Sequence, residues 1–457
     1  MSSPDLSRRA RPLRDEEFPR VLVVGHTPFS RSTGTAMTLS NLFTGWPKDR
    51  LAQIYTADSI PSTEVCENYF PLPLAQQHFP LQYRSMRMVG RASRRVLGWD
   101  GQPVAPADAP TAVAAHAARR RTALAMLHAQ KPTILDLVPV RMTAGLARWM
   151  RAFQPDLIYS MLGSVRLTRI AAAAARTLTI PIVPHFTDDW PATLYANGEL
   201  FGLANRTARH AIHQLLHHAP LGMVISQPMA DEYTHRYHIP FTPFANCVDD
   251  TYFAPPPPPT PQPHPTELVY IGALHLNRWE SLRDIGTALD TITGTGHPAR
   301  LTIHAPADDL HQYGKHLTHL PRIRLGNPLP AHHVPTALHN ADILVHVESF
   351  NPDIRRYTRY SISTKIPQYL AASRPILGYG PTEVASMNHI RTANAGITIG
   401  DPTTLTHHLT TLCQDPHLRH QLAHNGHTYA RHHHTTTTVT HHFATTLNTA
   451  RHHHARR

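Results

Sequence analysis

A chain of 457 residues that is 41% hydrophobic and 16% charged has apolar material for two or three domains and too little charge for wholesale disorder. Its three cysteines, odd in number and far apart, give neither a disulfide framework nor a zinc knuckle. The Arg-rich start runs into acids and Pro19 with no apolar signal core, so a cytoplasmic protein is expected, neither secreted nor membrane-spanning. The formal charge of +12 rests on 39 arginines and only four lysines, beside 37 histidines and 42 prolines, a profile that fits a GC-rich coding bias. No zinc-finger spacing, no basic region ahead of heptads and no RNA-binding signature gathers that charge into one module, so no nucleic-acid partner is expected.

Residues 1–19 read as a polar leader. Arg20 to Gly25 is then an apolar run ending in glycine, a short buried strand. A loop of Gly and hydroxyls follows, and Met37 to Phe43 has apolar residues at helical spacing. Leu51–Tyr55, Pro155–Ser160, Ile180–Val183 and Gly222–Ser226 repeat the strand pattern, with an Ala-rich helix over Arg169–Thr177 between two of them. Short apolar strands alternating with helices predict a doubly wound parallel sheet in a domain over 20–253. The proline-rich 254–265 forbids helix interior and central strand, and reads as a linker. Beyond it, Glu267–Ile271, Ala299–His304, Ile323–Leu325, Ala341–Val345 and Pro375–Gly378 predict a second α/β domain over 266–430. The His- and Thr-rich 431–457 is expected to be a solvated tail.

In open α/β folds ligands bind beyond the carboxyl ends of the strands, so the loops after strands carry the candidate site. Three stand out. The first holds Gly34 and Thr35, a small residue and a hydroxyl suited to close approach by an acceptor. The second is His185-Phe-Thr-Asp188-Asp189-Trp190, in which His185 or Asp188 can orient a reacting hydroxyl, with one aspartate binding substrate and one capping the next helix. The third runs from Glu348 to Lys365 and gathers Arg355, Arg356, Arg359, Ser361, Ser363 and Thr364 with one of the four lysines. A lysine kept in an arginine-biased chain suggests a compact charge at a phosphate.

The order of these segments resembles the glycosyltransferase family 4 type of GT-B glycosyltransferase over most of residues 20–400. Val224 to Tyr233 and Asn246 to Phe253 look like that family's crossing between domains, Tyr270 to Arg278 like the strand and loop opening the donor domain, and Ile366 to Leu377 like the helix and strand after the nucleotide-sugar loop. The resemblance implies two Rossmann-like parallel-sheet domains facing a cleft. It also implies transfer of a sugar from a nucleotide-sugar donor, with retained configuration, to a glycan, lipid-linked or small-molecule acceptor. Arg278 and Lys365 would stabilise the departing diphosphate without a metal or other cofactor, with Gly272 beside them. The sequence departs from the family at four positions. Tyr360 and Gln368 stand where two glutamates are usual, Ala273 replaces an arginine, and Arg278 replaces a lysine. Arg355, Arg356 and Arg359 are candidates to compensate, and Gln368 remains a substrate-binding candidate. A noncatalytic nucleotide-sugar or glycan-binding homologue is the alternative that the lost glutamates leave open. Leu81 to Trp99, with five arginines and no acid among apolar residues, is a candidate for peripheral membrane contact.

Overall fold

Strands covered by helices on both sides need apolar residues at every position, and the short apolar runs of this chain supply them. The computed structural model describes residues 17–30, 34–77 and 138–454, except 197, 259–264, 295 and 297. The first domain comprises β1 (Val21–Gly25), α1 (Gly34–Leu42), β2 (Leu51–Tyr55), β3 (Asn68–Pro71), α2 (Leu74–Gln77), α3 (Ala144–Phe153), β4 (Leu157–Leu162), α4 (Val165–Leu178), β5 (Ile182–Phe186), α5 (Trp190–Thr193), α6 (Leu203–Leu216), β6 (Gly222–Val224), α7 (Gln227–Tyr237) and β7 (Phe241–Pro243). Its strands form one seven-stranded sheet in the order β3-β2-β1-β4-β5-β6-β7, and β1 pairs in parallel with both β2 and β4.

The second domain contains β8 (Thr266–Ile271), α8 (Arg278–Gly294), β9 (Ala299–His304), α9 (Ala307–Tyr313), β10 (Ile323–Leu325), α10 (Val334–His339), β11 (Ile343–Val347), α11 (Pro352–Thr358), α12 (Lys365–Ala371), β12 (Ile376–Tyr379), α13 (Ala385–Thr392), β13 (Gly396–Ile399), α14 (Leu405–Gln414) and α15 (Pro416–His433). The six strands run β10-β9-β8-β11-β12-β13, again in parallel register. This is the doubly wound architecture expected, twice over. Core residues alternate between faces as a period of two requires. In β1, Leu22 and Val24 pack toward α3, α4, α6 and α7, whereas Val21 and Val23 pack toward α1.

The expected solvated tail is instead a packed helix, α16 (Thr436–His454). Val439, Phe443, Leu447 and Ala450 recur at helical spacing and are buried against the first domain. Phe443 meets Phe43, Tyr159 and Phe244 with ring centroids 5.0, 5.4 and 5.4 Å apart. Threonines and histidines on the exposed side hide that stripe in the composition. The chain thus crosses between domains twice, and the crossings are tied together where Val248 N–H donates to the His434 carbonyl and Thr436 N–H to the Val248 carbonyl. The leader through residue 16 and the 81–99 stretch lie outside the described residues. Among the described residues no helix is long and apolar enough to cross a membrane.

Candidate active site in the interdomain cleft

The loop after β8 sets the first cation. Leu276 and Asn277 both adopt left-handed backbone, φ 58° and 55°, a conformation that costs on the order of 1–2 kcal/mol for a side chain such as leucine. Asp309 holds this loop by accepting the Leu274 N–H at 2.6 Å and pairing with His275 at 3.3 Å. The next residue is Arg278, half-buried at the start of α8. Burial opposes its charge, but Glu348, Tyr270, Asp188 and Asp309 outweigh that and raise its pKa. Lys365, half-buried at the start of α12, is in the opposite situation. Burial and then the charge of Arg278 hold its ammonium below the usual lysine range.

Two carboxylates face these cations. Asp188 follows β5 in the first domain, and its carboxylate accepts from Ser361 Oγ at 2.7 Å and Thr187 Oγ1 at 3.0 Å. Burial raises its pKa against the lowering effect of those hydroxyls and of Arg278. Glu348 follows β11 directly and is 3% exposed. Burial would raise it, but a 3.1 Å contact with His346 Nε2 and the charge of Arg278 bring its pKa below the usual value. Gly380, at φ 153°, closes over it, and any Cβ there would strike Glu348 within 3.0 Å. Glu348 opens the third loop in the sequence but was not among the candidates. Its one legible signal is an acid placed immediately after an apolar strand.

Residues 357–368 bridge to the first domain. Besides Ser361 to Asp188, Ser226 Oγ donates to the Tyr360 carbonyl at 2.6 Å and Asn246 Nδ2 to the Thr364 carbonyl at 3.2 Å. Asp189 N–H donates to the Tyr357 carbonyl at 3.4 Å. Gly34 belongs to this junction, because a Cβ there would lie 3.4 Å from Thr364 Oγ1, and Thr35 beside it is exposed. The Ser363 hydroxyl accepts the Lys365 N–H at 3.4 Å. Arg278, Lys365, Asp188, Ser361, Ser363, Thr364 and Gly34 are thus brought to one region where the two domains meet.

Other candidates fall elsewhere. His185 lies within β5 on the sheet face opposite Phe186 and is fully buried, with Nδ1 2.6 Å from Tyr159 Oη. Its ring is sealed in the core and has no access to a reacting hydroxyl. Asp189 is also a correction. Its side chain makes no capping bond and instead takes Arg236 Nη1 at 2.7 Å and Tyr233 Oη at 2.9 Å, a buried pair inside the first domain. Arg355, Arg356 and Arg359 are exposed on and just after α11, unlike the half-buried Arg278 and Lys365. Arg355 pairs with Glu383 at 3.1 Å, and Arg359 lies over the Tyr360 ring at 4.2 Å. Gln368 is buried, donating to Tyr252 Oη at 3.1 Å, with its Oε1 unpartnered. The position of Gly272 is set locally, since a Cβ there would meet the hydroxyl of Tyr270 at 2.8 Å.

No family model matches the sequence, and no curated protein matches it. Solved structures do match. Anabaena Alr3699/HepE in complex with UDP superimposes with a TM-score of 0.59 at 14% identity, over 94% of this chain and 100% of that one. The chain has the GT-B fold. A sucrose-phosphate synthase from Thermosynechococcus elongatus, at TM-score 0.58 and 10% identity, covers 94% and 98% of the two chains. WaaG, a glycosyltransferase involved in lipopolysaccharide biosynthesis, matches at TM-score 0.52 and 12% identity over 90% and 95%. In GT-B terms the two parallel sheets are the paired Rossmann-like units, and the Arg278–Lys365 cluster stands where they face each other.

Proposed function

We propose that this protein is a glycosyltransferase that moves a hexose from a nucleotide-sugar to an acceptor held by the first domain, with retention of configuration. The observation that carries this reading is the pair of neighbouring cations. Burial and then the charge of Arg278 depress the pKa of Lys365, so folding alone gains nothing from a charged lysine at this position. A diphosphate leaving group supplies the missing negative charge, and that charge grows as the glycosidic bond breaks. Asp188, presented from the opposite domain and carrying a raised pKa, is suited to orient an acceptor or sugar hydroxyl by hydrogen bonding. Gly34 and Thr35 border the same junction from the acceptor side. Structural neighbours solved with UDP and with UDP-glucose support a nucleotide-sugar as the donor class.

The experiment is a panel of UDP-, GDP-, ADP- and TDP-sugars, read first by thermal shift and then by product release. One donor class should raise the melting temperature, because a ligand bound only by the folded state stabilises it. The same donor should be consumed when an acceptor is present. A donor that binds without being consumed under any acceptor would favour the noncatalytic reading, and no binding at all would remove the reading altogether.

A further inference from the structure

Three neighbouring helices on one face of the first sheet share an unusual surface. Helix α4 packs against both α3 and α6. Together they carry Arg148, Arg151, Arg166, Arg169, Arg176, Arg206 and Arg209, and not one aspartate or glutamate. Arg148, Arg151, Arg176, Arg206 and Arg209 are exposed, and His210, His213 and His217 continue the exposed side of α6. Arginine-biased composition alone does not produce this. Helix α7, the next helix on the same face, carries Asp231 and Glu232, and α8 carries Glu280, Asp284 and Asp290. Between Glu199 and Asp231 the sequence contains no acid.

At the start of α6 the same surface bears two exposed apolar residues. Phe201 is fully exposed and Leu203 is 58% exposed. Phe201 is held out in left-handed backbone at φ 56°, between Gly198 and Gly202 at φ 81° and 79°. An aromatic ring kept in that conformation and left exposed among the described residues adds nothing to folding. Helices following parallel strands begin at the carboxyl end of the sheet, so this apolar tip lies at the cleft end of the domain, where ligands of such folds are met.

We propose that this face docks on an anionic lipid bilayer, with Phe201 and Leu203 entering the interfacial region and the arginines of α3, α4 and α6 facing the headgroups. Charge complementarity selects the occupant. An acid-free arginine surface is attracted to a negatively charged leaflet at roughly 1 kcal/mol per basic residue near the lipid, and the two apolar side chains supply the non-electrostatic part. The docked orientation brings the cleft end of the acceptor domain to the membrane surface, which suits an acceptor attached to lipid. This last clause rests on the glycosyltransferase reading; the docking itself does not.

Co-sedimentation of the full chain with vesicles tests it. Vesicles of phosphatidylcholine mixed with phosphatidylglycerol at about two to one should bind the protein in a salt-sensitive manner, and phosphatidylcholine alone should not. Phe201→Asn/Leu203→Gln should weaken binding to the anionic vesicles by about tenfold or more. Asparagine tolerates the left-handed backbone, so the thermal melt should be unchanged. Arg206→Gln/Arg209→Gln should weaken binding by about tenfold as well. In Phe201→Trp, indole emission should shift to the blue when anionic vesicles are added. Equal binding by the wild type and the Phe201/Leu203 variant would overturn the proposal. So would binding to duplex DNA as tight as to vesicles with no dependence on Phe201, which would make the face a polyanion surface. Failure of the donor panel would leave all these outcomes standing.

Discussion

The interior of the first domain and the junction between domains handle buried charge in opposite ways. Inside the first domain buried charge is matched locally, Asp189 with Arg236 and Tyr233, and His185 is kept neutral with its Nδ1 against the Tyr159 hydroxyl. At the junction, Arg278 and Lys365 oppose one another: Glu348 and Asp188, from different domains, offset Arg278, while burial and Arg278 both disfavour the Lys365 ammonium. Matched pairs are what a fold requires, because an uncompensated buried charge costs more than its removal gains. A like-charge pair kept half-buried instead marks a place where another charge is expected. Counting arginines in the sequence does not separate these situations; burial and the sign of the neighbours do.

The matched interior is broken most strongly by acid. Burial lowers the His185 pKa to about 4. Between the ordinary histidine value and about pH 4 the unfolded chain takes up this proton and the folded chain does not, so stability falls as pH falls through that window. By pH 4 the loss from this residue alone is on the order of 3 kcal/mol. Urea melts from pH 7 to pH 4 should show the slope, and Tyr159→Phe/His185→Leu should reduce it, the remainder belonging to His389 and His434, whose pKa values burial also lowers; a slope as steep in the variant would assign the acid sensitivity to those two alone. A smaller loss follows from Asp189→Ala, which strips the buried partner from Arg236 while Glu232 remains at 2.8 Å. Roughly 2 kcal/mol should disappear from the unfolding free energy, with an unchanged denaturant slope. A change within about 0.5 kcal/mol would show that the pair is not a structural contact.

The strands most legible in the sequence were the fully buried ones, such as Val21–Gly25, where apolar residues fill a parallel-sheet position. Strands β3 and β7 escaped because they are short edge strands, partly exposed and ending in proline. Helix α16 escaped because its apolar stripe is spaced among threonines and histidines and is buried by residues distant in sequence, through contacts such as Phe443 with Phe43. In the site, Asp188 stood out because it lies just past a strand, Lys365 because it is one of four lysines, and Arg278 only through the family resemblance. His185 failed for a local reason: it lies within β5 rather than beyond it, so the two-residue alternation decided its face. Asp188 and Asp189 could not be told apart, because their separation depends on Arg236 and Tyr233 in another helix.

The central claim is that Arg278 and Lys365 form a cation pair maintained for a diphosphate. It is tested most directly by measuring turnover, donor affinity and thermal stability together for Lys365→Ala and for the triple variant Arg355→Ala/Arg356→Ala/Arg359→Ala. Lys365→Ala should lose roughly 100-fold or more in turnover, more than it loses in donor affinity. Its melting temperature should not fall, because burial and Arg278 already disfavour the ammonium. The triple variant should stay within about twofold of the parent in turnover, as exposed residues outside the cluster do. Near-normal turnover for Lys365→Ala, or an equal loss in the triple variant, would contradict the claim and move the diphosphate to the exposed arginines.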